Sequence, residues 1–339
     1  ITYNSGNFPV GGVIIQVNAS GQPTQTIEVD PVDGDVDVII TYVSIDNAGF
    51  ESEIPGQVTI PFTGAIVIIE NLYPATGPGT LAFEDLWPAK GDYDFNDLVI
   101  DYQFKITTNP ANYVEQLTGT FTIKAFGASF ENGFGFQLAS AIDPADVTVS
   151  GYDLTDNYIS LDANGTEAGQ SKATIIVYDN AFAQMPHPGI GIGVNTDPTA
   201  PYVAPKTLTI TIVFKPNTYS YTTLDISNFN PFIIVDKNRS VEVHLPNYPP
   251  TALADQALIG SLEDDSDSAT KTYYLTVYNL PWAINIYEQF DYPIEKQEIL
   301  WAHLKFAEWA MSGGVQFPDW YKNLTGYRNN SLIYQIPQN

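Results

Sequence analysis

Short runs of alternating apolar and polar residues recur along the chain, first at Gly12–Val17, Thr24–Val29, Asp35–Val43, Gln57–Phe62 and Ala65–Ile69. A period of two puts every second side chain on one face of an extended segment, so each run reads as a strand. Turn-forming clusters separate them, Ser20-Gly21-Gln22-Pro23 and Pro31-Val32-Asp33-Gly34, and Pro74-Ala75-Thr76-Gly77-Pro78-Gly79 reads as a linker or long turn. Further strands are predicted at Leu98–Lys105, Gln116–Phe126, Gly133–Leu138, Ala173–Tyr178, Leu208–Phe214, Phe232–Val235 and Ser240–Leu245. Their spacing, with Gly and Pro between them, is that of an antiparallel β-sandwich or jelly roll.

Two stretches break the pattern. Asn180–Pro205 holds five prolines and the run Gly189-Ile190-Gly191-Ile192-Gly193, which predicts a long surface excursion placed beside a ligand site. Near the C-terminus, Ile299, Leu300, Leu304, Ala307 and Trp309 stand close to helical spacing, which predicts a helix from Tyr292 to Met311 stopped by Ser312-Gly313-Gly314. The expected protein is mainly β, in three parts. A small all-β, immunoglobulin-like unit covers residues 1–62, a β-sandwich covers 63–250, and an α+β appendage over 251–339 packs on the sandwich.

Composition changes this picture in three ways. Hydrophobic residues make up 44% of the 339, enough for a real core. Lys and Arg total 13 against 39 Asp and Glu, a net charge of -26 that repels nucleic acid and anionic membrane surfaces and favours cations. Cysteine is absent, which excludes disulfides, thiolate metal sites and a Cys nucleophile. No apolar run approaches the roughly 20 residues that span a bilayer, so no transmembrane segment is expected. Because the chain begins at Ile1 rather than Met, a signal or lipid-attachment segment removed from it is compatible with the sequence.

The candidate chemistry is concentrated in one loop. Glu84, Asp85, Asp92, Asp94 and Asp97, with Asn96, place five acids and one Asn within fourteen residues, interleaved with Leu86, Trp87, Tyr93 and Phe95. Asp92, Asp94 and Asn96 stand at i, i+2 and i+4, so a tight turn can direct several hard oxygens at one centre, and calcium takes six to eight of them. Asp101 follows on the next strand. Position six of the corresponding EF-hand loop is Asp97 rather than Gly, position twelve is Gln103 rather than Glu, and strands flank it, which excludes that motif. Zinc would want His or Cys, and magnesium keeps its waters and prefers a phosphate, so calcium is the expected ion. The bland alternative is that these acids cap turns and remain solvated. Carboxylates set beside large apolar side chains are costly without a cation or many donors, which favours the ion.

Phe83-Glu84-Asp85-Leu86-Trp87-Pro88-Ala89-Lys90-Gly91-Asp92-Tyr93-Asp94-Phe95-Asn96-Asp97-Leu98-Val99 closely resembles the signature of LruC-type domains in bacterial surface lipoproteins. Gly127–Phe136, Asn230–Ile234, Glu242–Pro246, Asn279–Ile284 and the Trp309–Trp320 segment also resemble that family, over about residues 80–335. The resemblance implies a secreted, often lipid-anchored protein of Bacteroidetes-like or spirochaete envelopes, with no established activity. The acidic signature is also similar to that of a calcium-associated domain of large bacterial adhesins. The expectation is therefore an extracellular or outer-membrane-anchored calcium-binding protein, an adhesion or ligand-binding module without catalysis, whose partner is an envelope or host glycan or protein.

Enzyme chemistry has little in its favour. His187, His244 and His303 are isolated, and neither His-Glu-x-x-His nor Gly-x-Ser-x-Gly occurs. His244 and Glu242 share a strand face, where a structural histidine is the commoner case. The runner-up is an envelope-glycan hydrolase using a carboxylate pair, with Glu131 and Glu84-Asp85 as its test residues. A purely structural envelope component is the third reading.

Overall fold

A computed structural model describes residues 2–3, 36–45, 51–60 and 69–337. The expected strands at Gly12–Val17 and Thr24–Val29, and most of the run at Ala65–Ile69, lie outside the described residues. Two compact units divide the chain: residues 1–69 with 108–112, and residues 70–107 with 113–339. In the first, β1 (Thr2–Tyr3) pairs antiparallel with β2 (Val36–Ile45), which pairs antiparallel with β3 (Glu51–Ile60) in a register running from Val36 opposite Ile60 to Ile45 opposite Glu51.

The second unit is an antiparallel β-sandwich. Its larger sheet orders β14 (Ala283–Ile286), β5 (Gly79–Phe83), β6 (Leu98–Thr108), β7 (Val114–Ala125), β11 (Lys206–Phe214) and β9 (Val147–Ser150), with β4 (Ile69–Tyr73) also on β6. The smaller sheet orders β10 (Thr174–Tyr178), β8 (Gly133–Gln137), β12 (Asn230–Ile234) and β13 (Glu242–His244). Alternation fixes which face is inward. On β7, Leu117, Phe121 and Ile123 are buried in the core between the sheets while Thr118, Thr120 and Thr122 between them are less so. Aromatic rings from both sheets meet in the middle, Phe104 with Phe136 at 5.6 Å and Phe121 with Phe134 at 5.4 Å between centroids.

The outer face of the larger sheet carries a second core. Ala82, Val99 and Ala125 from β5, β6 and β7 pack with Tyr93, Phe95, Phe290, Ile299, Phe306 and Trp320. The C-terminal residues thus cover the sheet and add an edge strand to it, Ala283 standing opposite Phe83.

The helix expected from Tyr292 to Met311 is two short pieces, α1 (Ile299–Ala302) and α2 (Phe306–Met311), preceded by a bridge at Pro293 and a turn at Glu295–Lys296. Tertiary pairing interrupts it. His303 bridges Arg328, Leu304 N–H donates to the Tyr327 carbonyl at 2.7 Å, and Asn329 N–H donates to the Ala302 carbonyl at 2.9 Å. These bonds take backbone groups that a continuous helix would use internally. The stop holds as predicted, Gly313 being left-handed with its N–H on the Ala310 carbonyl at 2.9 Å. Among the described residues no helix is long and apolar enough to cross a membrane.

Candidate metal centre

The acidic loop connects β5 to β6, so both its ends are anchored in the larger sheet. Between them Tyr93 and Phe95 take left-handed backbone at φ 59° and 55°, a conformation that costs an aromatic residue on the order of 1 kcal/mol. Two things hold them there. Their rings pack in the outer core, Phe95 lying 5.4 Å from Phe306. Their N–H groups both donate to the Glu84 carboxylate, that of Tyr93 at 3.1 Å. With the aromatic positions drawn to the core, Asp92, Asp94 and Asn96 are free to gather elsewhere.

They gather with residues far away in sequence. Carboxylate oxygens of Glu84, Asp92 and Asp97 lie within 4.8 Å of one another, as do those of Asp92, Asp94 and Glu295, so Asp92 belongs to both groups. Asp94 Oδ2 accepts from Lys296 N–H at 2.7 Å, and Asn96 Nδ2 donates to the Pro293 carbonyl at 3.2 Å, which clamps Pro293–Lys296 against the loop. Asp97 Oδ2 accepts from Asp85 N–H at 2.9 Å. Asp85 itself belongs to neither group, and its Oδ2 accepts from Asn132 Nδ2 at 2.8 Å. Asp101 is turned away, accepting from Thr80 Oγ1 at 2.7 Å and lying 3.5 Å from Lys124.

Gly127 is where the oxygens converge. A Cβ placed on it would stand 2.4 Å from Asn96 Oδ1, 2.9 Å from Glu295 Oε2 and 3.0 Å from Asp97 Oδ1. Asn96 Oδ1 and Glu295 Oε2 are buried without a hydrogen-bond partner, in residues 0% and 9% exposed. A buried acceptor left unmade costs about 1–3 kcal/mol, more when charged, so two such oxygens side by side call for a donor or a cation.

The electrostatics agree. Burial, then the charges of Asp92 and Glu295, push the Asp94 carboxyl up to about 8. Burial pushes Asp85 up to about 6 against the bond from Asn132, and raises Glu295 above the usual carboxylate range. Glu84 and Asp97 rise well above that range, through burial first and then neighbouring acids. Mutual repulsion of this kind disappears when a divalent cation sits among the acids.

Glu295 and Gly127 escaped the sequence reading because both lie far from the loop.

Substituting Gly127 tests the convergence. Gly127→Ala forces a methyl against three oxygens, so the melting temperature of the metal-free protein is expected to fall by several degrees in a calorimetric scan while the far-ultraviolet spectrum keeps its β character.

The other sequence candidates have different surroundings. His244 is fully buried, its Nε2 2.8 Å from Glu242 Oε2 and its Nδ1 2.7 Å from Asn230 Oδ1. Two acceptors favour a doubly protonated ring, whereas burial, the larger influence, lowers its pKa. Arg239 reaches both Glu167 and Glu242, making a buried network of structural character. Glu131 pairs with Lys237. In the acidic stretch Glu263–Asp267, expected to be a solvated turn, Asp264 is buried, its two oxygens accepting from Gly260 N–H at 2.9 Å and Ser266 Oγ at 2.7 Å.

With this geometry in view, comparison with known proteins defines the class. The domain of unknown function DUF4842 matches residues 112–321, more than half of the chain, and the chain belongs to that family. The match includes Gly127 and Glu295 but begins after the acidic loop. The LruC-type resemblance is not confirmed by it. The fold is similar to the crystal structure of a "putative lipoprotein" from Bacteroides ovatus, with a TM-score of 0.58 and 16% identity over 89% of this chain and 92% of that one. At that identity the likeness shows the β-sandwich fold. No curated protein matches the chain.

Proposed function

We propose that this protein is an extracellular calcium-binding module of the surface-lipoprotein kind, with the ion held by Asp92, Asp94, Asn96, Asp97 and Glu295 and supported by Glu84. The observation that carries the reading is the convergence of the unpartnered Asn96 Oδ1 and Glu295 Oε2 with Asp97 Oδ1 over Gly127. Hard oxygens from carboxylates and an amide, with no imidazole or thiolate among them, suit calcium. The ion would tie the β5–β6 loop to Pro293–Lys296 and so rigidify the outer core. Asp85 acts from behind, through its N–H on Asp97. The LruC-type and adhesin resemblances, and the lipoprotein neighbour, support a place on a bacterial surface and an adhesion or ligand-binding role.

No observation favours the hydrolase, since Glu84 is buried with its carboxylate committed to backbone N–H groups and Glu131 is tied to Lys237.

Terbium luminescence and isothermal titration on chelated protein test the reading. Saturable binding is expected, weakened at least tenfold in Glu295→Gln, because that variant keeps the shape and removes the charge. Absence of heat and of luminescence in the wild-type protein overturns it.

A further inference from the structure

We infer that the cleft beside the acidic centre binds a neutral saccharide, whose vicinal hydroxyls complete the coordination of the calcium ion; this rests on the calcium reading above. The cleft measures about 520 Å³, and Asp92 and Glu295 line it together with Phe182, His187 and Ile192. Asp92 is exposed while Asp94, Asn96 and Asp97 are buried, so an ion held by this set is covered by protein on one side and meets solvent on the cleft side. Calcium keeps waters in such positions, and a pair of adjacent hydroxyl groups can replace two of them.

Charge selects the ligand class. Glu84, Asp92, Asp94, Asp97 and Glu295 crowd the centre, so five carboxylates outnumber the two positive charges of one ion and disfavour an anionic ligand. A ligand that coordinates through neutral oxygens avoids that repulsion. The wall that Phe182 and His187 form suits the body of a sugar ring. The rings of Phe182 and His187 lie 6.3 Å apart at an interplanar angle of 32°, offering a broad apolar face. His187 Nδ1 accepts from Gly189 N–H at 3.0 Å, which leaves Nε2 as the group able to meet a ligand hydroxyl. Lys296 adds an exposed ammonium donor at the rim.

The wall and the ion centre are built as one piece. Phe126 and Val194 exchange backbone hydrogen bonds at 3.1 and 2.8 Å, joining the Asn180–Pro205 excursion to the residue before Gly127. Gly193 makes that contact feasible, since a Cβ on it would stand 2.4 Å from the Phe126 carbonyl oxygen and its φ is 63°. Glu295 N–H donates to the Thr196 carbonyl at 3.1 Å, joining the same excursion to the other ligand segment. An ion that draws Glu295 and Asn96 together therefore sets the position of the wall.

The test applies the full chain to an array of neutral mannose-, galactose- and glucose-based oligosaccharides in calcium and in chelator, with calcium titrated in parallel. Binding in calcium that chelator abolishes is expected. His187→Ala and Phe182→Ala should each lower saccharide affinity at least fivefold while calcium affinity stays within twofold of wild type. Because His187 is exposed, its variant keeps the inference open to refutation if Phe182→Ala misfolds. Saccharide binding that persists in chelator, or that both variants leave intact, overturns the inference. So does calcium binding with no saccharide retained, which leaves the calcium reading standing. Failure of calcium itself to bind overturns both.

Discussion

Calcium added to the chelated protein at a hundredfold excess over its Kd is expected to raise the melting temperature at pH 8 by about 5–10 °C. Binding to the folded state alone stabilises by roughly 2.7 kcal/mol at that excess, and about 2–4 °C accompanies each kcal/mol in a unit of this size. The pH dependence supplies the sign. In the metal-free protein the carboxyl groups of Asp94 and Asp85 sit at about 8 and 6, above the ordinary value near 3.8. The folded chain therefore holds protons that the unfolded chain has already released between about pH 4 and pH 8, and stability falls as pH rises through that window. On the proposed reading the ion takes the place of the Asp94 proton, so the fall is expected to vanish or reverse once calcium is present, with protons released on binding. Calorimetric scans at pH 5, 6.5 and 8, with and without calcium, check this. A metal-free melting temperature that rises across the window would contradict the acidic cluster's raised pKa values, and an unmoved one on adding calcium would contradict the ion.

Arg239→Met is expected to destabilise the second compact unit by about 3–5 kcal/mol, independently of calcium. Arg239 is the cation between Glu167 and Glu242, whose side chains are 1% and 0% exposed, and it also donates to Thr251 Oγ1 at 3.2 Å. Burial opposes the charge on Glu242, but His244 and Arg239 hold its carboxyl down at about 2. The stability this contributes is present above the ordinary carboxylate pKa and is lost as pH falls through about 2. Without the guanidinium, both carboxylates face a low-dielectric interior with one strong partner gone. They can escape only by taking up protons, so the deficit should be smaller at pH 4 than at pH 7. Urea unfolding at the two pH values reads it directly. Lys105→Met serves as the contrast, because its pair with Glu70 is solvent-exposed and exposed pairs contribute about 0–1 kcal/mol.

Much of the sandwich was legible in the sequence because strand signals are local. The alternation of Leu117, Phe121 and Ile123 with polar residues marks β7 whatever it pairs with, and β6 and β11 alternate likewise, while β10 reads as a short apolar run and β8 alternates Phe with Gly. Strands missed were short or lacked alternation, β9 being only four residues long. β5, Gly79–Phe83, is buried throughout and looked like the end of a turn, and β14, Ala283–Ile286, is set by pairing with it. The helix from Tyr292 failed for the complementary reason. Its spacing is real from Ile299 on, but Pro293–Lys296 is held in a turn by Asp94 and Asn96, with Lys296 left-handed, and Arg328 breaks the remainder at His303.

The acidic loop shows the same division. Its residue types and their i, i+2, i+4 spacing are properties of the chain alone, and they suffice to name hard-oxygen chemistry and to exclude an EF-hand. Which oxygens meet was a matter for the tertiary structure. Packing Tyr93 and Phe95 into the outer core decided where Asp92, Asp94 and Asn96 gather, the antiparallel return after β7 put Gly127 beneath them, and the C-terminal segment brought Glu295 across nearly two hundred residues to complete the set. Local sequence specifies chemistry and strand period because both depend on near neighbours. Convergence depends on contacts between segments remote along the chain, and only burial and strand pairing could choose those.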